Sequence, residues 1–79
     1  MLLSELKKGE CAYVDALQID GNMRRRLQDI GFIPGTAVTC LQRSPLGDPT
    51  AYRIRGTVIA LRREDAKNIL LAKEASHEK

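Results

Sequence analysis

The sequence predicts a mainly β protein, a small barrel of about five strands with one inserted α-helix and a short C-terminal helical turn. Three observations carry this expectation. Ala12, Val14 and Ala16 alternate with Cys11, Tyr13 and Asp15, the two-residue period of a half-buried strand. The short apolar runs are punctuated by Gly9, Gly31, Pro34, Gly35, Pro45, Gly47, Pro49 and Gly56, residues that turn a chain. Met23, Leu27 and Ile30 fall at i, i+4 and i+7, which puts them on one face of a helix.

Each element follows from local chemistry. Ser4 to Lys8 suits one helical turn that buries Leu3 and Leu6 and stops at Gly9. Glu10 to Leu17 is the first strand. Asp20 or Asn22 is placed to cap the helix that follows, because a short side-chain oxygen satisfies free N–H groups of the first turn. Gly31 ends that helix, since a C′ residue needs positive φ, and Phe32 packs back on its last turn. Pro34-Gly35 fits a type II turn, proline fixing one φ and glycine supplying the positive one.

A second strand, Thr36 to Arg43, is rich in β-branched residues. Pro45, Gly47 and Pro49 form a rigid corner. Ala51 to Arg55 and Thr57 to Leu61 read as a hairpin through Gly56, with Tyr52 and Ile54 sharing a face. Arg63 to Asn68 suits a helical turn whose acids, Glu64 and Asp65, sit where a helix N-terminus favours them. Ile69 to Ala72 closes the sheet. Residues 74–79 are polar and read as a frayed tail. Closure into a barrel would remove the edges of these strands.

Composition narrows the function. The chain of 79 residues is one domain, and its 43% hydrophobic share is that of a compact fold rather than a disordered segment. Its apolar runs are of strand length, and Glu5, Lys7 and Lys8 break any leader-like stretch, so a cytoplasmic chain is expected. Cys11 and Cys40 are far apart without CxxC spacing and read as reduced, small apolar strand residues; the disulfide alternative stays open. With a single histidine, His77, the chain lacks the ligands of a closed zinc site, and no metal or other cofactor is expected. A nucleophile, a base and an orienting group cannot be assembled from these residues, so no catalytic residue is assigned. No glycine-rich phosphate loop is present, which removes nucleotide hydrolysis from the chain's own repertoire.

Between Arg24 and Arg63 there are eight arginines against Asp29 and Asp48, so the middle of the chain is more basic than its net charge of +3. This favours an acidic partner surface or anionic head groups. Arg24, Arg25 and Gln28 lie opposite the apolar helix face, and Leu46 and Asp48 lie in the proline-stiffened corner. These five are the candidate partner-binding residues. Gly31, Pro34, Gly35, Gly47, Pro49 and Gly56 carry the turns.

The runs RLQDIGFIPGT, SPLGDP and GTVIALRREDAKNI resemble the FeoA family of bacterial ferrous iron uptake, and the related domain at the C-terminus of iron-dependent repressors of the DtxR type. The resemblance covers nearly the whole chain. It implies an SH3-like barrel and action, from the cytoplasm or the inner face of the membrane, on the GTP-dependent transporter FeoB. It also brings a family-level association with transition metals, for which Glu64, Asp65 and His77 are the available contacts. A second copy of the chain is the other partner considered. A nucleic-acid-binding barrel is the alternative the arginines permit, but only Tyr13, Phe32 and Tyr52 could stack bases, and two of these are expected in the core. A stand-alone metal-responsive interaction domain is the remaining alternative.

Overall fold

The computed structural model describes residues 1–72; the polar tail and His77 lie outside them. A 3-10 turn at Leu3–Glu5 buries Leu3 and Leu6. The chain then runs through β1 (Cys11–Leu17), α1 (Gly21–Ile30), β2 (Ala37–Arg43), β3 (Thr50–Ile54), β4 (Thr57–Leu61), α2 (Arg63–Ala66) and β5 (Ile69–Ala72). All pairings are antiparallel, and the sheet order is β4-β3-β2-β1-β5.

The expected five strands and inserted helix are all present. Bulges interrupt β1 between Val14 and Ala16 and β2 between Cys40 and Gln42. A bulge bends a strand and increases its twist, which lets a short sheet wrap around one core. The inner face presents Ala12, Val14, Val38, Cys40, Tyr52, Ile54, Ile69 and Leu71, and Leu3, Leu6, Leu27, Phe32 and Ala66 complete the core.

Two expectations change. The sheet is not sealed by β4–β5 pairing: these strands stand at its two ends. The β5 end is covered instead by the N-terminus, through a Leu2–Leu70 bridge and the Leu71 N–H donating to the Met1 carbonyl at 2.7 Å. Nor does either candidate cap serve α1. Asp20 is the N-cap in extended conformation but makes no side-chain cap bond, and Asn22 lies within the first turn. Gly21 leads in at a φ of +77°. The loop is held from the helix side, by Arg24.

The C-terminal end of α1 forms as expected. Phe32 N–H donates to Leu27 O at 2.9 Å and Gly31 N–H to Gln28 O at 3.1 Å, the paired bonds of a Schellman motif. Leu27 is buried, and Met23 and Ile30 pack half-buried beside it. In the Pro34-Gly35 turn, Thr36 N–H reaches Ile33 O at 3.1 Å and Gly35 has φ +92°, as a type II turn requires. Arg55 and Gly56 both have positive φ, +51° and +78°, so β3 and β4 meet in a two-residue type I′ hairpin. Among the described residues no helix is long and apolar enough to cross a membrane.

Candidate functional site

The candidate residues occupy two surfaces, and the fold separates them. α1 lies at the end of the sheet where β2 begins and the β3–β4 hairpin turns: an added Cβ on Gly31 would meet Arg55 and Ile54. The 44–49 corner follows the far end of β2. Seven strand residues at about 3.3 Å each put roughly 20 Å between the two ends. The helix and the corner are therefore distinct surfaces, not neighbours.

On α1, Arg25 and Gln28 are exposed, whereas Arg24 is half-buried. The Arg24 Nη1 donates to Leu17 O at 3.2 Å and, at the limit of hydrogen bonding, to Ile19 O at 3.5 Å. Leu17 ends β1 and Ile19 lies in the β1–α1 connection, so Arg24 ties the strand end and that connection to the helix. Its place on the outer helix face was legible in the sequence; its folding role was not, because that depends on how the loop turns back. Arg55, one of the eight arginines of the basic middle, was not among the candidates. Its hairpin position lays its aliphatic stem against Gly31, beside the end of α1.

In the corner, Gly47 N–H donates to Ser44 O at 2.8 Å and Ser44 N–H to Pro49 O at 3.1 Å, and the Asp48–Pro49 peptide is cis. Leu46 projects from this closed loop with 92% of its surface exposed. An apolar side chain so exposed on a stiff loop loses little conformational entropy when it docks. Asp48 serves the fold: its Oδ1 accepts the backbone N–H of Arg63 at 2.8 Å, the start of α2. Asp48 thereby ties the corner to the start of α2.

Beside the corner, Gln42, Arg43, Ser44, Pro49, Ala51 and Ala60 line an open cleft of about 270 Å³. That is below the usual range of small-molecule pockets, roughly 300–1,000 Å³, and suits a side chain rather than a cofactor. Ser44 Oγ is buried there without a hydrogen-bond partner among the described residues.

The remaining chemistry is sparse. Burial pushes the Cys40 thiol up from its ordinary value, with nearby Arg43 opposing and Glu10 adding to the rise. Burial also raises Tyr52, directly across the strand pair from Cys40. Cys11 is half-buried, and both cysteines are free. Among the described residues no three His, Cys, Asp or Glu side chains converge on one point. Glu64 and Asp65 sit in the first turn of α2, where their charge complements the helix terminus. The donors among the described residues do not make a metal centre. Of the three aromatic residues, Phe32 and Tyr52 are in the core and Tyr13 alone is exposed, which leaves no row of rings on which successive bases could stack.

The FeoA domain family matches residues 1–73, nearly the whole chain. The chain belongs to the FeoA family. Membership links it to ferrous iron transport. A fusion of an Fe(2+) transport protein A with an Fe(2+) transporter FeoB, from Porphyromonas gingivalis, is 42% identical over 69 residues; the match takes in 87% of this FeoA-family chain and 8% of the fusion. The solution structure of iron(II) transport protein A from Clostridium thermocellum superposes with a TM-score of 0.86 at 35% identity, covering 90% of this chain and 44% of that one. The chain thus spans less than half of each of these two relatives. A FeoA from Stenotrophomonas maltophilia, an SH3-domain protein solved in complex with zinc, gives a TM-score of 0.81 at 33% identity over 91% of this chain and 89% of that one. The SH3-like fold expected from the resemblance is therefore found. A manganese-dependent transcriptional repressor shares the fold, with a TM-score of 0.80 at 19% identity.

Proposed function

We propose that this FeoA-family chain is a cytosolic accessory protein of bacterial ferrous iron uptake that acts by direct contact with the cytosolic part of a FeoB-type transporter. The observation that carries this reading is the P. gingivalis relative, in which a homologous domain is joined to the transporter in one chain. Covalent joining holds two modules at an effective concentration of order millimolar, which is useful where the two work in contact.

The chain's surfaces support the reading. Arg25 and Gln28 are exposed on α1, Leu46 is exposed on a stiff loop, and neither surface belongs to the core. Arg24 and Asp48, each engaged by the backbone, position those surfaces. GTP chemistry belongs to the transporter, and the accessory chain changes how the transporter works.

The test is ferrous iron uptake in cells whose own copy of this gene is deleted. Wild type restores uptake. Leu46→Ala and Arg25→Glu, accumulated to the same level and equally stable, restore less. Full restoration by both would remove these surfaces from the function.

A further inference from the structure

The two ends of the sheet differ. The β5 end is covered by residues 1–2, whereas β4 pairs only with β3. In a two-residue hairpin the residues flanking the turn form a hydrogen-bonded pair, here Ile54 and Thr57. The pairs then alternate. Thr57, Ile59 and Leu61 direct their backbone groups at β3, while Val58 and Ala60 direct theirs away from the sheet. Among the described residues no backbone bond is made to these outward groups of Val58 and Ala60.

Native edge strands are usually protected by a lysine, a proline, a bulge or a cover. β4 reads Thr-Val-Ile-Ala-Leu, with none of the first two, and its pairing with β3 runs without a bulge. Val58 is 57% exposed and lies on the outer face of the sheet, with Ala60. A row of free backbone groups beside an exposed valine is a template for one more strand.

Charge selects the occupant. From Thr50 to Arg62 the hairpin carries Arg53, Arg55 and Arg62 and no acid. A second copy pairing antiparallel about Ile59 would bring the Arg55 turn of one chain toward Arg62 and Arg63 of the other, beyond the ends of the paired strands. Like charges brought together there repel, which disfavours a second copy. An extended acidic segment meets Arg53 and Arg55 at the turn end of the strand and Arg62 at the other, where Asp48, Glu64 and Asp65 offset part of the charge.

We propose that β4 is a docking edge for an extended acidic peptide segment of a partner protein, which adds to the sheet as a sixth strand through the backbone of Val58 and Ala60. Its alternate small apolar side chains cover Val58, and its flanking carboxylates face Arg55 and Arg62. This rests on the fold alone. It goes beyond the helix and corner surfaces proposed above, and holds whichever protein supplies the segment.

The test titrates the isotopically labelled chain with a capped synthetic peptide of alternating threonine and valine with glutamates at both ends. NMR shifts and amide exchange are read at every residue. Saturable shifts and slowed exchange at Val58 and Ala60 are expected, with at least tenfold weaker binding when the peptide's glutamates become lysines. Ala60→Pro removes one outward N–H without touching the β3 ladder, a position where proline is tolerated; it should weaken binding at least tenfold while the other amides keep their shifts. Equal binding of acidic and basic peptides, unchanged binding to Ala60→Pro, shifts confined to α1 or the corner, or no binding would each overturn the proposal. So would slow exchange of Val58 and Ala60 in the free chain, because the edge would then already be covered.

Discussion

The aliphatic stem of Arg55 lies over Gly31: a Cβ built on Gly31 would stand 2.7 Å from Arg55 Cδ. The contact joins the end of α1 to the tip of the β3–β4 hairpin, and both residues hold positive φ, +131° and +51°. Gly31→Ala should therefore cost more than Gly35→Ala, where only the +92° φ is strained and nothing lies within 4 Å. About 1 kcal/mol is expected at Gly35 and more at Gly31. Arg55→Asn, which suits a type I′ turn and has a shorter side chain, should raise stability and reduce the Gly31→Ala cost. A double-mutant cycle of chemical denaturation measures the coupling; additive effects would show that the stem gives way freely.

The two arginines of the helix should part company. Arg24→Glu loses the bonds to Leu17 O and Ile19 O and sets a carboxylate against two carbonyls, so it should destabilise by about 1 kcal/mol or more. Arg25→Glu, on an exposed position, should leave the melting temperature nearly unchanged. Its effect belongs to binding, and should fade with salt because exposed charges are screened beyond about 8 Å at physiological ionic strength. Equal melting of the two variants would contradict this division.

Asp48 is open to a clean substitution test. Asp48→Ala strands the Arg63 N–H and should cost about 1 kcal/mol, whereas Asp48→Asn keeps an oxygen acceptor and should cost less. If Asp48→Asn melts like wild type yet loses partner binding, the carboxylate charge also contacts the partner.

Cys40 gives the fold a pH dependence on the alkaline side. Burial raises its folded value above the ordinary 9.0. As pH rises past about 9 the unfolded thiol releases its proton while the folded one keeps it. The unfolded state then binds fewer protons, so unfolding free energy falls with pH. The contribution is whole below the unfolded value and is lost as pH climbs toward the folded one. Tyr52 adds the same sign above its ordinary 10.0. Denaturation midpoints from pH 8 upward should show this decline, with a shallower slope for Cys40→Ala. At pH 8 a thiol reagent should label half-buried Cys11 well before Cys40.

The elements were largely legible because turn chemistry is local. Gly31, Pro34-Gly35 and Gly56 act through their own φ requirements, and β4 and β5 have the predicted bounds, Thr57–Leu61 and Ile69–Ala72. What depended on distant residues was hidden. The reach of Asp48 to Arg63 spans fifteen positions, and the cap of α1 yielded to Arg24 bonding backward over seven. That β4 is an edge follows only from the strand order, in which the chain returns to β1 with β5. The helix and corner candidates were exposed as side-chain type suggested, but their separation depends on which ends of β2 they flank.

Direct contact with the transporter is measured by a calorimetric titration of the purified chain into the isolated cytosolic part of a FeoB-type transporter from the same cell. Saturable binding is expected, weakened separately by Leu46→Ala and by Arg25→Glu, with the Arg25 share fading as salt is added. No binding by the wild-type chain, or wild-type affinity in both variants, would contradict it.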